Sequence, residues 1–191
     1  GPSVGHRPRR GEGGRDRSPM TADGDTPPRE VVAAEPRHGL WARTVPLAVA
    51  VVLLDQLSKD WALRALADGR PRHVVWTLQW NLSFNSGMAF SKGQGLGPII
   101  GLGAVVVVIV IATSVRHSAS RIVDIAAGLV IGGALGNLID RLFRGDGWLH
   151  GRVVDFIDFQ WWPVFNLADA AVVIGGLLLL VSSLRSERRP P

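Results

Sequence analysis

Residues 153–169 read VVDFIDFQWWPVFNLAD, with Asp155, Asp158 and Asp169 set among large apolar side chains and Pro163 between the second and third. Two aspartates that share one proton can activate water and protonate a leaving amine, which is the chemistry of peptide hydrolysis. Such a pair titrates as a unit, so assigning the proton to one member is arbitrary. Competing chemistries have less material. The chain has no cysteine, which excludes a zinc–thiolate site, a disulfide framework and a cysteine nucleophile. His73, His117 and His150 do not lie at ligand spacing from one another, so no metal is expected. Ser86 lies in a turn signal, and no histidine has a clear claim to partner it. No cofactor is expected.

Further polar residues interrupt apolar runs. Asp55 and Lys59 are spaced i, i+4 and share a helix face. Asp55 falls near the middle of its run, where a pair with Lys59 lowers the cost of burying each charge. Asn137, Asp140 and Arg141 close a later run, where an interfacial ion pair and a site role both fit Asp140 and Arg141. Gly128, Gly132 and Gly136 recur at i+4 just before them and offer a small-residue face for close helix approach. Asn166 and Asp169, at i and i+3, follow Pro163.

The elements that must position these groups are apolar. Hydrophobic residues make up 47% of the 191, and four runs approach the ~20 residues that cross a bilayer. They cover about 45–66, 97–115, 122–143 and 164–184. The second and fourth have no polar face, which argues against a soluble bundle. Pro163 is expected to open the fourth helix. The first run is not expected to be a cleavable signal peptide, because its leading tail is long and no small-residue cleavage pattern closes it. The expected fold is therefore an all-α membrane protein with four transmembrane helices and a small extracytoplasmic β-sheet loop. Alternation over Val75–Trp80 suggests a strand there, and NSG at 85–87 marks a turn.

Residues 1–40 form an Arg-, Gly- and Pro-rich tail expected to be disordered and cytoplasmic. The opening Gly-Pro is compatible with a tag-removal scar, and Met20 with an alternative start. The transmembrane domain is expected over 41–185, with a second cytoplasmic tail at 186–191. The net charge of +5 reflects basic residues that sort by side. Thirteen fall in the front tail through Arg43, the turn at Arg116–Arg121 and the end; eight fall in the other loops and helix ends. The excess predicts both termini in the cytoplasm. The polar cluster then lies at the extracytoplasmic ends of the helices. No nucleic-acid motif accompanies the arginines.

Five motifs occur in order: DQLSK (Asp55–Lys59), FNSGMAFS (Phe84–Ser91), GGALGNLIDR (Gly132–Arg141), VVDFI (Val153–Ile157) and FNLAD (Phe165–Asp169). Together they closely resemble lipoprotein signal peptidase, signal peptidase II, over about residues 45–184. The resemblance implies an aspartic endopeptidase of the bacterial cytoplasmic membrane. Such an enzyme cuts the signal peptide from a prolipoprotein before its diacylglyceryl-modified cysteine.

Carried over by motif, the catalytic pair is Asp155 and Asp169, with Asp158 a rival whose neighbours match less well. Asp55, Lys59, Asn85, Gly87, Asn137, Asp140, Arg141 and Asn166 are implied to bind substrate or support the pair. Phe156, Phe159, Trp161 and Trp162 are expected to anchor the loop at the membrane interface. The implied partners are lipidated prolipoprotein and membrane lipid, acting on a monomer. Met88 stands where the family more often has a small residue, and the basic tail lies outside the family core. The alternatives are a small transporter or channel subunit with an Asp55/Lys59 relay, and an assembly factor that uses the glycine face.

Overall fold

The computed structural model describes residues 42–87, 97–115 and 120–187. The expected front tail to Leu40, Met88, most of the Arg116–Arg121 turn and residues 188–191 lie outside the described residues. The order of elements is α1 (Thr44–Ala65), β1 (Arg72–Val75), β2 (Leu78–Asn85), α2 (Gly97–Val115), α3 (Arg121–Phe143), β3 (Val153–Asp158) and α4 (Leu167–Glu187). The protein is mostly helical, and α2, α3 and α4 are each long and apolar enough to cross a membrane.

Helix α3 is central and touches α1, α2 and α4. Its glycines explain how α1 comes so close. A Cβ on Gly132 would stand 2.8 Å from the Ala48 carbonyl oxygen, and one on Gly136 would stand 2.6 Å from Asp55 Oδ2. The contacts climb both helices together, from Thr44 Oγ1 donating to the Asp124 carbonyl (3.1 Å) to Arg144 Nη2 meeting Asp60 Oδ1 (2.8 Å). Helices α1 and α3 are therefore parallel. Gly136→Val would push Asp55 off its partners, because the added side chain would overlap its fully buried carboxylate. Membrane accumulation of this variant should collapse on immunoblots, whereas Gly103→Val, at a position with open space around it, should accumulate normally.

The sheet has the order β1-β2-β3, antiparallel throughout. The strand expected over Val75–Trp80 is instead split by a turn. Trp76 takes a left-handed backbone (φ 52°) and its carbonyl is held by His73 Nε2 at 2.8 Å. The loop between α3 and α4, where no strand was expected from the sequence, supplies β3. It pairs with β2 from Asn85↔Val153 to Gln79↔Asp158, with an irregularity between Trp80 and Ser83. Phe156 is buried with Ala62 and Leu66 and is ringed by Trp61 and Trp80, so it belongs to the core, not to a surface anchor. Trp161 and Trp162 are exposed, as anchoring requires, and Phe159 stacks on Phe165.

Helix α4 begins at Leu167, later than the proline suggests. Phe165 is committed to a bridge with Ile157, exchanging hydrogen bonds of 2.8 and 3.0 Å, and it cannot join a helix. The reversal between them is built by Asp158, whose Oδ1 accepts from the Gln160 amide at 2.6 Å while Gln160 adopts φ 67°.

Candidate active site

Asn166 closes that bridge and opens α4. Its Oδ1 accepts from the Asp169 amide (3.0 Å), and Asp169 Oδ2 accepts from the Asn166 amide (3.2 Å). This reciprocal capping box satisfies two donors at the helix start and fixes Asp169 on the first turn. It also means that Asn166 precedes α4, where the sequence reading had put it inside. The other end of the Asn166 side chain donates from Nδ2 to Asp155 Oδ1 at 2.6 Å. One fully buried amide therefore ties the strand carboxylate to the helix carboxylate. Asp155 stands on β3, not on a loop, so a regular ladder sets its direction.

Asp155 is 2% exposed. Burial and, next, the negative charge of Asp169 push it up to about 6, against hydrogen bonds from Asn166 and Asn85. Asn85 itself is held by an Asx turn, its Oδ1 accepting from the Gly87 amide at 2.8 Å. Gly87 has φ 84°, which suits glycine at this corner. Asp169 is half-buried, and its Oδ1 accepts from Asn137 Nδ2 at 2.8 Å. Asn137 Oδ1 in turn accepts from Lys59 Nζ (2.9 Å) and Asn166 Nδ2 (3.2 Å). The three asparagines thus orient both carboxylates.

Behind them lies an ionic layer. Lys59 Nζ meets Asp55 Oδ2 at 2.8 Å and Asp140 Oδ2 at 2.9 Å, and all three side chains are fully buried. Asp55 Oδ1 accepts from the Ala168 amide (3.0 Å), anchoring the first turn of α4. Asp140 Oδ2 also accepts from the Val154 amide (3.1 Å), anchoring β3 one residue before Asp155. Asp55 and Asp140 therefore each hold one of the two elements that present a carboxylate. Arg141 is buried at 7% exposure, with Asp169, Asp155 and Asp140 as its electrostatic neighbours. Its Nη1 reaches the Asn137 carbonyl at 3.3 Å, and its Nε has no partner among the described residues.

Asp158 has other partners. Gln79 Nε2 (2.7 Å), Asn81 Nδ2 (2.9 Å) and the Gln160 amide occupy it, and these bonds, Gln79 foremost, hold its carboxyl below the usual value. The sequence reading missed Gln56, Asp60 and Arg144. Arg144 Nε contacts Asp140 Oδ1 at 2.8 Å, Gln56 Nε2 contacts the same oxygen at 3.1 Å, and Arg144 Nη2 reaches Asp60. The i, i+4 spacing of Asp140 and Arg144 was the one available signal.

Residues 47–185 match the family model described as signal peptidase (SPase) II. The lipoprotein signal peptidase of Mycolicibacterium smegmatis is 42% identical over 161 residues, covering 84% of this chain and 68% of the relative. That of Mycobacterium avium is 39% identical over 165 residues, covering 86% and 85%. That of Rhodococcus jostii is 39% identical over 170 residues, covering 88% and 83%. A bacterial membrane enzyme solved by the in meso method superposes with a TM-score of 0.64 at 27% identity, covering 78% of this chain and 92% of that one. A second such structure gives 0.62 at 28% identity, covering 74% and 92%. With its apolar helices and its buried polar centre, the chain belongs to the signal peptidase II family and is an integral bacterial membrane peptidase.

Proposed function

We propose that Asp155 and Asp169 are the catalytic pair of an aspartic endopeptidase. The observation that carries the reading is the Asn166 side chain, which joins the two carboxylates while every other buried acid nearby is spent on amides and cations. The chain removes the signal peptide of a prolipoprotein. In the proposed step the ionised member takes a proton from water, whose oxygen attacks the scissile carbonyl. The protonated member donates to the carbonyl oxygen. As the C–N bond breaks, the proton taken from water passes to the leaving amine, and a hydroxyl of the tetrahedral intermediate returns its proton to the other aspartate, leaving a carboxylic acid and the singly protonated pair. The unfilled Nε of Arg141 is a donor available to a substrate carbonyl.

Helix α1 is the proposed fourth span. Its 22 residues reach about 33 Å, and Leu53, Leu54 and Leu57 are exposed on the side away from Asp55 and Lys59. Four spans put both termini on one side, and the excess of basic residues there makes that side the cytoplasm in this reading, with the pair at the extracytoplasmic interface, level with the first turn of α4. A bond held there by a membrane-embedded lipid is within reach, so the proposed substrate carries diacylglycerol on the cysteine after the cut. The proposed working unit is a monomer. Purified chain should release, from a diacylglyceryl-modified preprotein, a product whose mass begins at the lipidated cysteine. The unlipidated preprotein should remain uncut; equal cleavage of both would refute the substrate assignment.

A further inference from the structure

Strand β3 has a second face that the peptidase chemistry does not use. Side chains alternate along a strand, so Val154 points opposite to Asp155. On that side a cleft of about 320 Å³ is lined by Leu63 of α1, Phe84 of β2, Val154 of β3, Arg144 and Arg152. Phe84 and Val154 are register partners; Phe84, 50% exposed, is the accessible apolar wall, and the buried Val154 lies beneath it. The arginines are tied through the backbone, Arg152 N donating to the Arg144 carbonyl at 3.4 Å. They differ in state. Arg144 is engaged by Asp140, Asp60 and Gln56. Arg152 is exposed, and its guanidinium has no hydrogen-bond or ion-pair partner among the described residues.

The depth of this cleft is informative. Both arginines follow the last residue of α3, where a spanning helix leaves the hydrocarbon, and Phe143 and Trp148 beside them are exposed as interfacial aromatics are. A cation next to a bare apolar wall at that level matches a ligand with an anionic head and an apolar stem. A free anion would gain nothing from Phe84 and Leu63, and a neutral glyceride nothing from Arg152. We propose that this cleft binds the phosphodiester headgroup of a membrane phospholipid, with Arg152 on the phosphate and the start of an acyl chain along Phe84 and Leu63. The site is separate from the carboxylate pair and does not depend on its role.

Native mass spectrometry of the full chain in detergent, titrated with dioleoylphosphatidylglycerol, tests this. The wild type should hold one lipid that neither diolein nor glycerol 1-phosphate displaces at equal concentration. Arg152→Gln should weaken that binding about tenfold, the scale of losing a charge-assisted hydrogen bond to phosphate. Phe84→Ser, which leaves both arginines in place, should weaken it as well. Unchanged lipid retention in Arg152→Gln would overturn the proposal. So would displacement by glycerol 1-phosphate, which would mark a free-phosphate site, or by diolein, which would mark a purely apolar one.

Discussion

Lys59→Met should leave the protein unable to accumulate in the membrane. The substitution keeps the stem and removes the cation shared by Asp55 and Asp140, both fully buried. Asp140 retains Arg144, but Asp55 retains only the Ala168 amide and a 3.2 Å contact from Gln56. Removing one partner of a buried pair typically costs about 3–5 kcal/mol, because the other charge stays desolvated. That is a large share of the ~5–15 kcal/mol that holds a typical domain folded. The damage should be specific to the stranded acid. Adding Asp55→Asn to Lys59→Met removes the unpaired charge, while the amide oxygen can still accept from Ala168, so accumulation and thermal midpoint should recover in part. Double and single variants of equal instability would refute the ionic-layer account, as would a Lys59→Met protein that melts like the wild type.

Asp155→Asn and Asp169→Asn should each lower cleavage by at least about 10³-fold, within the range expected for losing a positioned acid or base. Both proteins should remain folded. In Asp155→Asn the new Oδ1 can still accept from Asn166. Asp169→Asn can keep its bond from Asn137 or the one from the Asn166 amide, but its NH2 cannot accept the other. The loss should be about 1 kcal/mol, typical of a helix cap. Asp140→Asn should behave differently. Its carboxylate binds Lys59, Arg144 and the Val154 amide at once, so its defect should be in the amount of folded protein.

The helices and the polar cluster were legible because both are written in one dimension. Apolar length marks a span whatever its neighbours do, and Asp55, Lys59 and Asp140 stand out because ionisable groups are costly there. The sheet was less legible. VVDFID is nearly all buried on both faces, so it lacks the alternation that marks a half-exposed strand. Val75–Trp80 does alternate, yet it holds a turn at the left-handed Trp76, whose carbonyl is held by His73 three residues earlier. The start of α4 was misplaced for a similar reason. Pro163 permits a helix, but Phe165 is claimed by Ile157, a partner that spacing cannot reveal. Phe156 looked like an interfacial aromatic from composition, and only the packing of Trp61 and Trp80 around it shows otherwise. Gln56 and Asp60 escaped notice because their partner Arg144 lies just past the end of another helix.

The central claim is that Asp155, not its neighbour Asp158, does chemistry together with Asp169. Both are buried on the same strand, and their partners differ: Asn166 and Asn85 for one, the side-chain amides of Gln79 and Asn81 and the turn amide of Gln160 for the other. The most direct measurement is the cleavage rate of a diacylglyceryl-modified preprotein by equal amounts of folded Asp155→Asn and Asp158→Asn protein. The account predicts that Asp155→Asn is inactive and that Asp158→Asn cuts within a few-fold of the wild type. Near-normal turnover by Asp155→Asn would contradict it.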